Sequence, residues 1–267
     1  MTLKSFLRGQ AYYLKKDTMV QGICFFFLIA SLVLPIWIGA KSGFHVSNFI
    51  EPLRVVTPLS LFLYFVIPVQ ACFFATEGFE HGTVKPIIAS GQTRGSYYMG
   101  KFVSEIKVIL WCLFQFFGLY YVIYMAAVVI TGSRIGTTHL VKDLGIVLTV
   151  LGFNILYLSA YAAMVMMVGI IVEKTAPAVV LTFVIIFGDF VLGGYLKDSS
   201  SVVLRTISDH SLMTQIMKFS RIYVVDSQQV LLAGANDYFR TAIIPLVIIV
   251  VCLSVALISF GRKDIHA

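Results

Sequence analysis

Apolar residues run along this chain in long, nearly uninterrupted blocks, and polar residues gather between them. A bilayer core of about 30 Å needs about 20 helical residues at about 1.5 Å rise each. Six blocks meet that requirement: 19–40, 55–76, 106–130, 144–172, 176–195 and 241–260. They predict an all-α, polytopic membrane protein with six transmembrane helices. Pro58 and Pro68 in the second block predict a kink there. Glu173-Lys174 and Pro177 divide the fourth block from the fifth by a tight hairpin.

A different periodicity marks residues 1–18. Leu3, Phe6, Leu7, Ala11 and Leu14 recur at helical spacing, Lys4, Arg8 and Lys15 take another face, and Tyr12-Tyr13 suit the headgroup level. This predicts an amphipathic helix lying in the membrane interface. The remaining organisation follows: a transmembrane region 19–260 with an organised loop 77–105, a long segment 196–240, and a tail 261–267. Within 196–240, Met213, Ile216 and Met217 fall at helical spacing, and Asp226 is placed to cap a short helix through Leu232. These pieces are expected to rest on the outer membrane rim or dip into it.

Composition sharpens this reading. Of 267 residues, 59% are hydrophobic and only 12% charged. A soluble domain of this size cannot hide that much apolar surface in one core, so an ordinary cytosolic enzyme is excluded. The net charge of +7 would suggest nucleic acid in a soluble protein. Here the basic excess fits loops facing the cytoplasm, and no nucleic-acid partner is expected. With both termini inside, Lys and Arg number 11 inside and 9 outside, the bias being clearest in the short loops. The basic start is followed by an apolar run longer than a signal-peptide core, so the first span is expected to remain in the mature protein. The four cysteines, Cys24, Cys72, Cys112 and Cys252, all lie in apolar stretches without zinc or redox spacing, and no metal site is expected.

The densest polar stretch follows the second span. Residues 77–107 hold seven of the chain's charged residues: Glu77, Glu80, Lys85, Arg94, Lys101, Glu105 and Lys107. Its punctuation predicts a helix, a break and a second helix. Gly82-Thr83 offers a turn and an N-cap, Pro86 is tolerated only in a first turn, Gly91 can end the helix in a left-handed conformation, and Thr93 can cap the next helix. Gly95 to Lys101 also fits the first seven positions of a P-loop. The eighth position is Phe102, so the hydroxyl that would hold Mg²⁺ is missing, and nucleotide binding here is rejected. Asp189 is the one carboxylate well inside an apolar block. It should face protein or water, as an interfacial group near Tyr195 and Lys197 or as part of a pathway or gate together with the Pro68 region. His45, His139, His210 and His266 form no ligand cluster, and no catalytic constellation is present.

These residues resemble a known family. The stretch E-x-x-E-x-G-T-x-K-x-I-x-A-S-x-x-x-R-x-x-x-x-x-x-K from Glu77 to Lys101, the six spans, the N-terminal interfacial helix and the ending Gly261-Arg262-Lys263-Asp264-Ile265 look like a type-2 ABC exporter permease. The nearest flavour is the short bacterial permeases of antimicrobial-peptide export or immunity. Family members often carry Pro before a Ser/Thr-Arg pair, where this chain has Gln92 before Thr93-Arg94. The resemblance implies a subunit of the bacterial cell membrane that pairs with a second permease copy and with cytoplasmic ABC ATPase subunits. ATP and Mg²⁺ would belong to that partner, and this chain would bind no cofactor and catalyse no reaction itself. It further implies that 83–90 is a coupling helix. Glu77, Glu80, Gly82, Thr83, Lys85, Pro86, Arg94 and Lys101 would link it to the ATPase. Of these, Glu77, Glu80, Arg94 and Lys101 would hold the unit together by charge-assisted bonds. Lys4, Phe6, Arg8, Tyr12 and Lys15 would form the interfacial helix beside it, and the first, second and fifth spans would line the pathway. The substrate class implied is a hydrophobic or amphipathic molecule. The competing readings are a stand-alone secondary carrier or channel, which would show intramembrane charges, and a non-transporting immunity protein.

Overall fold

The computed structural model describes residues 3–133, 135–196, 200–225, 228–229, 232 and 234–262. Helix α1 (Leu3–Lys16) leads through Asp17 into α2 (Thr18–Ser42), and the Asp17 carboxylate caps α2 by accepting the Met19 N–H at 2.9 Å. The chain continues through α3 (Glu51–Val56), a 3-10 turn (Thr57–Phe62) and α4 (Leu63–Glu80). Short α5 (Val84–Ala89) is followed by the long α6 (Arg94–Ile130), then α7 (Leu140–Val172) and α8 (Thr175–Leu196). Two short helices, α9 (Val202–His210) and α10 (Leu212–Phe219), precede a minimal antiparallel pair, β1 (Val224–Val225) and β2 (Gln228–Gln229), and α11 (Ala235–Arg262).

Six of these stretches are long and apolar enough to cross a membrane: Thr18–Ser42, Glu51–Glu80, Arg94–Ile130, Leu140–Val172, Thr175–Leu196 and Ala235–Arg262. They mark a helical multi-pass membrane protein. The helices exceed the apolar blocks because their polar ends continue the same backbone hydrogen bonding beyond the apolar residues. α6 shows this most, beginning twelve residues before its block.

The centre of the bundle is α4 and α7. Their most apolar windows are 61% buried, against 22% for α2 and 18% for α8, which leave large faces for lipid. Gly169 of α7 lets the two central helices touch, since a Cβ there would sit 3.0 Å from Ala75 and 3.1 Å from Thr76. The α7–α8 hairpin is as tight as expected: Glu173 takes a left-handed φ of 60° and closes α7 with its N–H on the Gly169 carbonyl. The Tyr97 ring lies 5.7 Å from Phe6 and 6.0 Å from Phe260, so α1 and the end of α11 meet at the same end of the bundle.

The second span is irregular at Thr57–Phe62, where Pro58 stands near the start of a 3-10 turn and follows the αR residues closing α3, and α4 runs as helix through the buried Pro68. One expectation is corrected: Gln228-Gln229, placed by the sequence in a short helix, is a strand that pairs back on Val224-Val225. Asp226 itself, like Lys197 and residues 263–267, lies outside the described residues.

Candidate functional site

The polar stretch after α4 folds as a helix, a break and a helix. Gly82 (φ 63°) turns the chain out of α4, and Gly91 (φ 92°) turns it out of α5. Both conformations are strained for residues with a Cβ. Pro86 is the third residue of α5, where its missing N–H is among those the helix leaves unpaired anyway. Thr93 caps α6 as its position suggests, accepting the Ser96 N–H at 3.2 Å. Thr83 departs from expectation. It sits at the start of α5 in a helical conformation, and its hydroxyl donates backwards to the Gly78 carbonyl at 3.3 Å instead of capping. With φ and ψ already helical, its oxygen cannot face the N–H groups ahead of it. Val84 anchors the short helix inward, while Pro86, Ala89 and Ser90 are exposed and Lys85 is half-buried.

The four charged residues around α5 each make a charge-assisted hydrogen bond. No ion pair joins them among the described residues. Each reaches a different helix. Glu77 accepts the Tyr13 hydroxyl of α1. Glu80 accepts the Thr175 N–H at 2.8 Å, capping α8, whose Thr175 hydroxyl also meets Thr76 at 2.8 Å. Arg94 donates to the Phe260 and Gly261 carbonyls, both at 3.0 Å, at the end of α11. Buried Lys101 donates to the Phe74 carbonyl of α4 and lies over the Phe74 ring. The physical reason is helix polarity. A carboxylate is favoured where α8 begins and a guanidinium where α11 ends, and both ends stand within reach of the loop.

The N-terminal helix lies over this unit. Phe6 and Leu14 are buried, whereas Arg8, Tyr12 and Lys15 are exposed; Lys4 belongs to the helix. Between helix and loop is a cavity of about 300 Å³, bordered by Gln10, Tyr13, Glu77, His81, Tyr97 and Lys101.

Two features were not read from the sequence. Gly78 allows α4 to press on α6, since a Cβ there would stand 2.6 Å from the Tyr97 hydroxyl and 3.2 Å from Val84. A glycine in a helical run carries no signal of its own, so only its place among seven charges could have flagged it. Glu105 is fully buried in α6, and Gln70 of α4, with its amide nitrogen turned inward, donates to the carboxylate at 2.7 and 3.2 Å. Its position just outside an apolar block had suggested a loop residue. The P-loop-like segment Gly95–Phe102 is α-helical with Tyr97, Tyr98, Gly100 and Lys101 buried, so it has no loop to wrap a phosphate.

At the other end of the bundle Tyr195 is 81% exposed, while Asp189 is half-buried. It accepts the Tyr161 hydroxyl at 2.6 Å, the Ser211 hydroxyl at 2.6 Å and the Met213 N–H at 2.8 Å. These bonds seat α10 against α7 and α8, with Leu212, Met213 and Ile216 buried. The apolar stretch of 196–240 therefore enters the bundle. The described residues hold no cluster of metal-ligating side chains. No protein-family model matches the chain, and no curated protein matches it.

Proposed function

We propose that this chain is the membrane-spanning permease subunit of an ATP-driven exporter of the type-2 ABC class, set in a bacterial cell membrane with both termini in the cytoplasm. One observation supports the reading above others. Residues 77–101 project a short helix whose flanking side chains bond α1, α4, α8 and α11 separately. A cytoplasmic ATPase that grips α5 through Thr83, Lys85 and Pro86 would thereby hold four helices at once. Closure of the ATPase pair on ATP and Mg²⁺ would displace the loop, and Glu80 and Arg94 would carry the displacement to α8 and α11. Helix α1 would lie in the inner interface and move with the loop. A second permease copy would complete the pathway, and the substrate would be hydrophobic or amphipathic, of the antimicrobial-peptide or lipophilic-drug kind.

The test is to purify the tagged chain from its native membrane together with a nucleotide-binding subunit and to measure substrate-stimulated ATP hydrolysis. The expected result is a stable complex in which Gly82→Pro or Glu80→Lys abolishes stimulation while membrane insertion persists. Full transport by the chain alone in proteoliposomes would overturn the reading. That outcome belongs to the second reading, a stand-alone carrier, which the buried Glu105 and half-buried Asp189 carboxylates favour.

A further inference from the structure

Beside the loop, but separate from it, helices α1, α2 and α6 enclose a lateral groove of about 490 Å³. Its walls come from three helices at successive-turn spacing. Ala11, Leu14 and Lys15 form the α1 side, Val20, Gln21 and Cys24 the α2 side, and Ser104, Lys107, Val108 and Trp111 the α6 side. The size lies within the range of ligand sites, about 300–1,000 Å³. The interior is apolar. The two lysines stand at its mouth, both exposed, and among the described residues neither has a carboxylate partner. The acidic residues nearest in sequence are turned elsewhere: Asp17 caps α2, and buried Glu105 is bonded to Gln70.

The depth of the groove decides what can reach it. From Lys107 to Ile130, the far end of α6, there are 23 residues. At about 1.5 Å each they span roughly 35 Å, slightly more than a hydrocarbon core of about 30 Å. α2 begins at the same level and is 25 residues long. The lysines therefore lie at headgroup height, and Trp111, 58% exposed one turn further along α6, lies just below them, where tryptophan prefers to be.

We propose that this groove is a binding site for an anionic phospholipid of the leaflet on the α1 side. One acyl chain lies along Leu14, Val20, Cys24 and Val108, and the phosphate sits between Lys15 and Lys107. An apolar trough under two unpaired cations matches that chemistry and no neutral lipid's. The lipid joins α1 to α2 and α6 and so sets how firmly the amphipathic helix is held. The site requires only that the chain spans a membrane, and it stands whether or not the chain serves an ATPase.

Trp111 provides the readout. The chain has two tryptophans, so Trp37→Phe leaves Trp111 as the single emitter. The full-length variant is placed in phosphatidylcholine nanodiscs containing a few mole per cent of either phosphatidylglycerol or phosphatidylcholine with brominated chains. Brominated phosphatidylglycerol should quench Trp111 markedly more at equal content, each lysine contributing about fivefold to the preference. Lys15→Gln with Lys107→Gln should remove the preference, Lys16→Gln should leave most of it, and added inorganic phosphate should not abolish it. Equal quenching by the two lipids would overturn the proposal in favour of ordinary lipid contact or an uncharged substrate. Absence of quenching by both would mean that a second copy covers the groove. Equal loss in Lys16→Gln would reduce the site to a diffuse basic surface. Val20→Phe, which fills the groove without touching charge, should lower quenching by both lipids and checks the site should the double variant fail to fold.

Discussion

The two ends of the helical bundle are tied by opposite strategies. At the α1 end, Glu77, Glu80, Arg94 and Lys101 fan outward, each holding a separate helix by one or two bonds. At the opposite end, Asp189 draws three donors from two segments onto one carboxylate, and neighbouring bonds from Tyr157 to the Thr241 carbonyl and from Thr241 to Gln215 complete a buried network. Radiating bonds let a small segment steer several helices, and of the four groups only Lys101 is buried, so the other three can slip without stranding a buried charge. A converging network does the reverse. It locks α10 in place, because removing its centre strands every donor together. The loop end is thus suited to transmitting movement and the Asp189 end to resisting it.

The largest effect should come from breaking the convergent end. Asp189→Ala strands three donors at about 1–3 kcal/mol each, so unfolding in detergent should occur at a much lower temperature and yield should collapse. Asp189→Asn keeps an acceptor and should lie between. If Asp189→Ala melted like the parent, the network would not be what seats α10.

Gly78→Ala comes next. Its Cβ would collide with the Tyr97 hydroxyl, and overpacking of this kind costs about 1–3 kcal/mol. Thermal stability in detergent should fall while insertion persists, and Tyr97→Phe in the same chain should restore part of it. Failure of that rescue would place the strain elsewhere. Glu80→Ala removes the exposed cap of α8 and should lower the melting temperature by less than Gly78→Ala does. Smallest is Arg94→Gln, which removes a cation from the end of α11 and should cost about 0.3–1 kcal/mol. If Arg94→Gln proved as damaging as Asp189→Ala, the contrast between the ends would fail.

Much of the loop was legible residue by residue. Gly82, Pro86, Gly91 and Thr93 each act locally, through φ, a missing N–H or a cap, so their roles follow from their neighbours in sequence. Thr83 misled because a threonine before a helix has two places for its hydroxyl, and the tight turn at Gly82 brings the Gly78 carbonyl closer. Pro58 and Pro68 look alike in sequence, but Pro58 stands in a 3-10 turn while Pro68 is carried within α4. Glu105 was hidden by its position at a block edge, where hydropathy cannot separate a loop from a buried helical turn.

What the sequence determined by itself was the helical membrane class, the six spans and the helix–break–helix loop. Lipid demands about 20 apolar residues per crossing and internal pairing of every backbone group, so length and hydropathy suffice. The tertiary structure alone decided which partner each scarce polar group takes. Glu80 finds Thr175, Arg94 finds Phe260 and Gly261, and Asp189 finds Tyr161 and Ser211, all across wide separations in the chain. In an apolar bundle a charged group is drawn to whichever helix end or donor lies nearest in space, and that proximity exists only once the helices are packed.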